Sequence, residues 1–257
     1  MTKIILCGCF GRMGTAITNL AAAMDDIQIV AGVDTLETSE MRNYPVYHNI
    51  NNCSIQADVI ISILPSPAIA ATMELLDYTA TNRVPLVNCT TGLPQHVLNA
   101  IADTAKTAAV LHSANMSLGV NLLTNILVRV SKLLYNSQFD IEIVEKHHNK
   151  KVDAPSGTAV LLADTINHAL GGDMRVVTDR STTHEERGAD EIGVYSVRGG
   201  NIVGEHSVLF AGANESIEIT HTAHSRDVFA AGALKAARFM KGKDAGLYTM
   251  QDLIDAL

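Results

Sequence analysis

The chain has 257 residues, with 19 Lys and Arg against 27 Asp and Glu, for a formal net charge of −8 with histidine neutral. That balance excludes the basic stripe that binds DNA or RNA by releasing counterions from phosphates. Hydrophobic residues make up 47% and charged residues 18%, which excludes the composition of a disordered chain and allows a buried core.

The first predicted element is residues 3–9, a continuous apolar run (Lys-Ile-Ile-Leu-Cys-Gly-Cys) ending in a glycine turn. A helix over roughly 12–24 and a β-rich run from Ile27 to Val33 follow it. A strand that is apolar at successive positions, and not alternating, suits a sheet buried on both faces, so these elements read as a βαβ unit. The pattern recurs at 58–64 with a helix opening near Pro67, at 84–88 with a helix opening near Pro94, and at 109–113. No apolar run reaches the ~20 residues of a membrane span, and the start runs into a strand without a signal-peptide layout. A soluble, cytoplasmic protein with no membrane partner is the expectation.

Between the first strand and helix lies Gly8-Cys9-Phe10-Gly11-Arg12-Met13-Gly14. Glycines there allow a tight turn and close approach to a pyrophosphate, and the helix N-terminus offers unpaired N–H groups. The spacing is GxxGxxG and not GxGxxG, and a strand-to-helix turn needs glycine even without a ligand. Asp34, 20 residues beyond Gly14 at the end of the second strand, adds a carboxylate placed to accept from adenosine ribose hydroxyls. A dinucleotide is expected. An acid repels a 2′-phosphate and Thr35, not arginine, follows it, so NADH is expected to serve at least as well as NADPH, with Arg12 a partial compensation.

After Gly119 a long apolar helix (about 119–135) precedes strand patterns at 191–198 and 215–222, whose alternation points to an antiparallel or mixed sheet. From Val228 the sequence returns to helix patterns. The predicted architecture is α/β: a Rossmann-type doubly wound parallel sheet in residues 1–118 plus 228–257, and a second, mixed-sheet α+β domain in 119–227. The first is expected to bind the dinucleotide, the second to bind substrate and form the oligomer. Cys7, Cys9, Cys53 and Cys89 lie in or near apolar stretches without CxxC spacing, and the histidine pairs 147/148 and 221/224 lack the HExxH pattern, so no metal is expected.

The chemistry-bearing segment, 145–159, follows the predicted strand 141–144 and reads as a loop dense in His and Lys. It runs through Ser156, Gly157 and Thr158 into a helix over 159–170, so backbone N–H groups at the helix start can meet an anion. Two anion sites suggest a cofactor and a carboxylate substrate.

The string His-His-x-x-Lys-x-Asp-Ala-Pro-Ser-Gly-Thr-Ala, with Gly-x-x-Gly-Arg-Met-Gly at the start, resembles the dihydrodipicolinate reductase (4-hydroxy-tetrahydrodipicolinate reductase) family of bacterial lysine and diaminopimelate biosynthesis. Cys89-Thr90-Thr91-Gly92, 114–121, Val197-Arg198-Gly199-Gly200 and Gly204-Glu205-His206 extend the resemblance over nearly the whole chain. It implies His147 as catalytic acid/base and Lys151 as proton donor, with His148, Gly157, Thr158 and Arg226 on a cyclic dicarboxylate substrate. It implies nicotinamide-dinucleotide contacts at Gly8 through Met13, Asp34, Cys89, Thr90, Thr91, Ser113, Ala114, Asn115 and Met116. A homotetramer is implied too. The sequence departs from the family pattern at the bulky Cys9-Phe10 pair, at Cys89 in place of glycine, and at Met116 in place of an aromatic. The rival readings are a related dehydrogenase of another imine, such as an aspartate dehydrogenase, and a non-catalytic NAD(H) sensor.

Overall fold

A computed structural model describes residues 1–257 except 37, 182 and 183. The chain divides into two compact units, Met1–Leu118 with Asp227–Leu257, and Gly119–Arg226. In chain order the elements of the first segment are β1 (Thr2–Cys7), α1 (Arg12–Ala22), β2 (Ile27–Val33), β3 (Val46–Tyr47), β4 (Val59–Ser62), α2 (Ile69–Asn82), β5 (Leu86–Asn88), α3 (Gln95–Thr104) and β6 (Ala109–His112). There follow α4 (Leu118–Asn136), β7 (Asp140–His147), α5 (Gly157–Leu170), β8 (Arg175–Val177), β9 (Glu191–Arg198), β10 (Gly204–Ala211) and β11 (Ser216–Ala223). The chain ends with α6 (Asp227–Met240), β12 (Gly246–Tyr248) and α7 (Met250–Asp255).

The first sheet has the order β12-β6-β5-β4-β1-β2-β3, and every pairing in it is parallel. Its strands are apolar on both faces because both faces are covered. Ile4 and Leu6 of β1 pack with Ile17, Ala233 and Leu234 of α1 and α6, while Ile5 and Cys7 pack with Leu75, Leu76, Val97 and Ile101 of α2 and α3. The direction of winding reverses between β1 and β4, and the crevice beyond the carboxyl ends at such a switch point is where doubly wound sheets take ligands.

The second sheet, ordered β11-β10-β7-β9-β8, is mixed: β7 runs antiparallel to β10 and parallel to β9. Only one face is apolar. Ile141, Ile143, Ile192, Val194, Val208 and Phe210 bury against Leu127 of α4 and Ala159, Leu162 and Ile166 of α5. The Rossmann-type parallel sheet and the separate mixed sheet are both present, as the hydrophobic patterning indicates.

Two local expectations are corrected. The strand expected over 141–144 continues to His147, because Glu145, Lys146 and His147 pair on one side with Ser196, Val197 and Arg198, and Glu145 and Lys146 pair on the other with His206 and Glu205. The C-terminal stretch is not helical throughout: 246–248 adds β12 to the edge of the first sheet beside β6.

Candidate active site

The turn after β1 is built around two glycines. Gly8 has φ +85°, a conformation L side chains rarely adopt, and a Cβ at Gly14 would lie 2.3 Å from the Gly8 carbonyl oxygen. The turn itself therefore requires both. Gly11, the N-cap of α1, differs: a Cβ there would meet only the Gly8 carbonyl oxygen at 3.4 Å, an ordinary contact. Packing does not demand glycine at this position, yet its absence of side chain leaves the front of the helix N-terminus open.

Asp34 follows β2, and its carboxylate accepts the Phe10 N–H at 2.8 Å and the Leu36 N–H at 2.9 Å. Gly8, Gly11, Asp34, Thr35, Ile63 and Leu64 are among the residues lining a cavity of about 340 Å³. Arg42 reinforces the turn from outside, donating to the Cys9 carbonyl and the Thr15 hydroxyl, both at 2.9 Å, with its guanidinium 5.0 Å over the Phe10 ring. Arg12 is exposed and Met13 half-buried at the start of α1. The bulky Cys9-Phe10 pair is thus accommodated by burying Cys9 against Gly32 and capping Phe10 with Arg42.

Two further loops leave the same sheet at its carboxyl ends. After β5, desolvation pushes the Cys89 thiol up to about 12, the buried Thr90 hydroxyl donates to the Leu64 carbonyl at 3.0 Å, and Thr91 is exposed. After β6, the Ser113 hydroxyl donates to the Asn115 carbonyl at 2.8 Å, and the Asn115 side-chain oxygen accepts the Ser117 N–H at 2.9 Å. Ala114 is exposed. Met116 lies in the core at 5% exposure, and its carbonyl would be 1.7 Å from a Cβ at Gly232, so α6 packs directly on this loop.

In the second unit the chemistry-bearing residues gather at the end of β7. Side chains two apart on a strand share a face, so Glu145 and His147 both point inward. Glu145 is fully buried. Its carboxylate accepts both Arg198 terminal nitrogens at 2.8 and 2.7 Å, the Ser156 N–H at 3.0 Å and His147 Nδ1 at 2.6 Å. Burial by itself raises the Glu145 pKa, but hydrogen bonds from Arg198, Ser196, His147 and Ser156 outweigh it and bring it to about 2.

Ser156 is the N-cap of α5, its Oγ accepting the Ala159 N–H at 3.1 Å and lying 2.9 Å from His206 Nε2. Gly157 and Thr158 open the helix behind it, and a Cβ at Gly157 would meet nothing within 4 Å. The His206 ring stands edge-on to His147 at 5.1 Å between centroids, and burial, followed by the charge of His147, pushes its pKa to about 4. Lys151 pairs with Asp153 at 2.9 Å, and its N–H donates to the His148 carbonyl. Arg226 Nη2 lies 3.3 Å from His148 Nε2, and desolvation, then the Arg226 charge, hold the His148 pKa below its usual value. Among the described residues no group of three or more His, Cys, Asp or Glu is arranged to hold a metal, and no helix is long and apolar enough to cross a membrane.

Residues 2–116 match the family described as dihydrodipicolinate reductase, N-terminus, and residues 119–254 match dihydrodipicolinate reductase, C-terminus. The chain belongs to the dihydrodipicolinate reductase family. The 4-hydroxy-tetrahydrodipicolinate reductase of Clostridium tetani is 47% identical over 100% of this chain and 98% of its own length, and that of Aquifex aeolicus is 38% identical over 98% of each. Among solved structures, a dipicolinate-bound dihydrodipicolinate reductase from Paenisporosarcina sp. TG-14 covers 97% of both chains with a TM-score of 0.82 at 22% identity. The aspartate dehydrogenase of Thermotoga maritima shares the fold more distantly, with a TM-score of 0.53 at 12% identity over 95% of this chain and 98% of that one.

Motif reading left Glu145, Arg198, His206 and Arg42 without a role and gave Ser156 a different one, an anion-binding N–H that the structure shows donating to Glu145. Glu145, Arg198, Ser156 and His206 form the buried support of His147, and Arg42 supports the glycine turn. Glu145 sits two positions before His147, but the sequence reading ended the strand at 144 and placed both in a loop, so their shared face emerged only from β7. Arg42 had no signal either, because it reaches the turn from 27 residues beyond Thr15.

Proposed function

We propose that this dihydrodipicolinate reductase reduces 4-hydroxy-tetrahydrodipicolinate to tetrahydrodipicolinate in lysine and diaminopimelate biosynthesis, with NADH or NADPH as the reductant. The observation that carries this reading is the His147 imidazole, held by Glu145 at one nitrogen beside Lys151, His148 and the start of α5. Full-length relatives named for this activity support it.

The cofactor is held by the turn Gly8, Cys9, Phe10, Gly11, Arg12 and Met13, by Asp34, and by the loops 89–91 and 113–116. The open space at Gly11 and the cavity beside Asp34 fit a dinucleotide's phosphates and ribose. When bound, the nicotinamide supplies the hydride. Met116 is core, so its segment meets the cofactor through its backbone. Asp34, followed by Thr35, favours ribose hydroxyls over a 2′-phosphate, and NADH serves at least as well as NADPH.

The substrate's two carboxylates need fixed positive charge and N–H donors, supplied by Arg226, His148 and the helix start at Gly157 and Thr158. His147 and Lys151 deliver the proton to the ring as negative charge builds beside the reduced carbon, and the 4-hydroxyl leaves as water, so that one hydride and one proton in and one water out balance the conversion. The enzyme acts in the cytoplasm as a homotetramer.

The test is oxidation of NADH in the presence of the condensation product of pyruvate and aspartate-semialdehyde, made in place by the preceding synthase. His147→Ala and Lys151→Ala are each expected to lower kcat by ~10²–10⁴, the usual worth of a general acid. Both variants staying within a few-fold of wild type contradicts the assignment. Comparing kcat/KM for the two cofactors tests the Asp34 argument, which a strong NADPH preference overturns.

A further inference from the structure

His147 can work through one nitrogen only if something settles which nitrogen carries the resting proton. Glu145 Oε2 faces Nδ1 at 2.6 Å, and this carboxylate can only accept. Its ionised form is secured by a two-point contact from Arg198 and by the Ser156 N–H. Nδ1 must therefore donate, which leaves Nε2 to gain and lose the mobile proton. The strand opposite is shaped to match: Gly204 opens β10, and a Cβ there would stand 3.0 Å from His147 Nε2 and cover it.

Resting on the proton-donor role given above to His147, we infer that Glu145 is a positioning residue that fixes the imidazole with Nδ1 protonated and Nε2 as its working nitrogen. The same carboxylate ties that ring to the first residues of α5 through Ser156, so proton donor and substrate-carboxylate cradle share one anchor. Register builds the anchor. Arg198 lies beside His147 on β9, and His206 lies opposite Glu145 on β10, so the three strands present their charged and aromatic partners on one face. His206 donates nothing to His147; their rings meet edge-on, and Glu145 is the acceptor at Nδ1.

The test reads the tautomer directly, without substrate. In ¹⁵N-histidine correlation spectra recorded where the ring is neutral, the wild-type His147 signal, assigned by its loss in His147→Gln, is expected to show Nδ1–H with Nε2 as the lone-pair nitrogen. In Glu145→Gln that signature is expected to weaken or vanish, because a carboxamide can donate to Nδ1 as well as accept. The variant's kcat is expected to fall on the order of 10²-fold or more, with KM for substrate and cofactor changed only a few-fold; a wrong tautomer is what removing the orienting carboxylate produces in serine-protease triads. An Nε2–H tautomer in the wild type overturns the inference whether or not Glu145→Gln folds. So does a folded Glu145→Gln with kcat within a few-fold of wild type. An Nδ1–H tautomer in a protein that turns over no substrate would sustain the positioning of the ring while removing the proposed reaction.

Discussion

His147 takes its place from a strand and not from a loop, which is why its environment is so fully specified. Three more residues of β7 pairing put Glu145 and His147 on the inner face, where a carboxylate is tolerated only because Arg198, Ser156 and His147 satisfy it. The motif named His147 from the sequence; its partner two residues earlier did not emerge, because the segment's His and Lys density read as loop and hid the strand period that puts both on one face. His206 carries a pH consequence. Its folded pKa of about 4 lies below the ordinary 6.5, so the unfolded chain binds more protons in that window. Stability present above pH 6.5 is expected to fall as pH drops to 4, by up to about 3 kcal/mol. The Tm measured across that range should decline, and His206→Gln should decline less; an equal decline in both contradicts the assignment. Gly204→Ala is expected to keep the fold, since its φ is unremarkable, and to lower kcat on the order of 10²-fold by covering Nε2. Turnover near wild type in that variant would mean Nε2 is approached from another side.

At the scale of elements, each part of the site hangs on a strand end or a helix start. Strands β1, β2, β6 and β9 were legible because apolar runs or alternation persist over four to eight residues. β3 and β12 were not, being two and three residues long with pairing supplied wholly by a neighbour. β10 escaped for a different reason. Gly204 and His206 at its start face His147, and Glu205 and Ser207 pair with Lys146 and Thr220, so its apolar character begins only at Val208. The helix starts carry measurable weight. Ser156→Ala removes the α5 N-cap and is expected to cost about 1 kcal/mol of stability. Gly14→Ala forces a Cβ into the Gly8 carbonyl and the Cys9 backbone, which is expected to cost roughly 1–3 kcal/mol. Denaturant midpoints at constant m-value read both, and a neutral Gly14→Ala would show that the turn relaxes where the backbone contact forbids it.

On the scale of the whole molecule, the chain folds into two units with different sheets, and the proposed function gives each its own task. A doubly buried parallel sheet presents a glycine turn, an acid and a cavity; a sheet covered on one face presents a histidine anchored from beneath. Both units match the same family end to end, which the long His-to-Thr string and the glycine turn had indicated from sequence. The departures at Cys9, Phe10 and Met116 are absorbed by burial of Cys9 and Met116 and by Arg42 over the Phe10 ring. The open face of the second sheet and the family resemblance support a homotetramer, which light scattering on the purified protein tests by mass. On the proposed function, binding the reductant and delivering the proton are separable tasks. The most direct test of this separation is a single-turnover experiment in which enzyme preloaded with NADH meets the pyruvate–aspartate-semialdehyde condensation product, in wild type and His147→Ala. Equal NADH affinity in both and rapid loss of reduced-nicotinamide absorbance only in the wild type are expected. Equally fast loss in His147→Ala, or none in either with NADH bound, would contradict it.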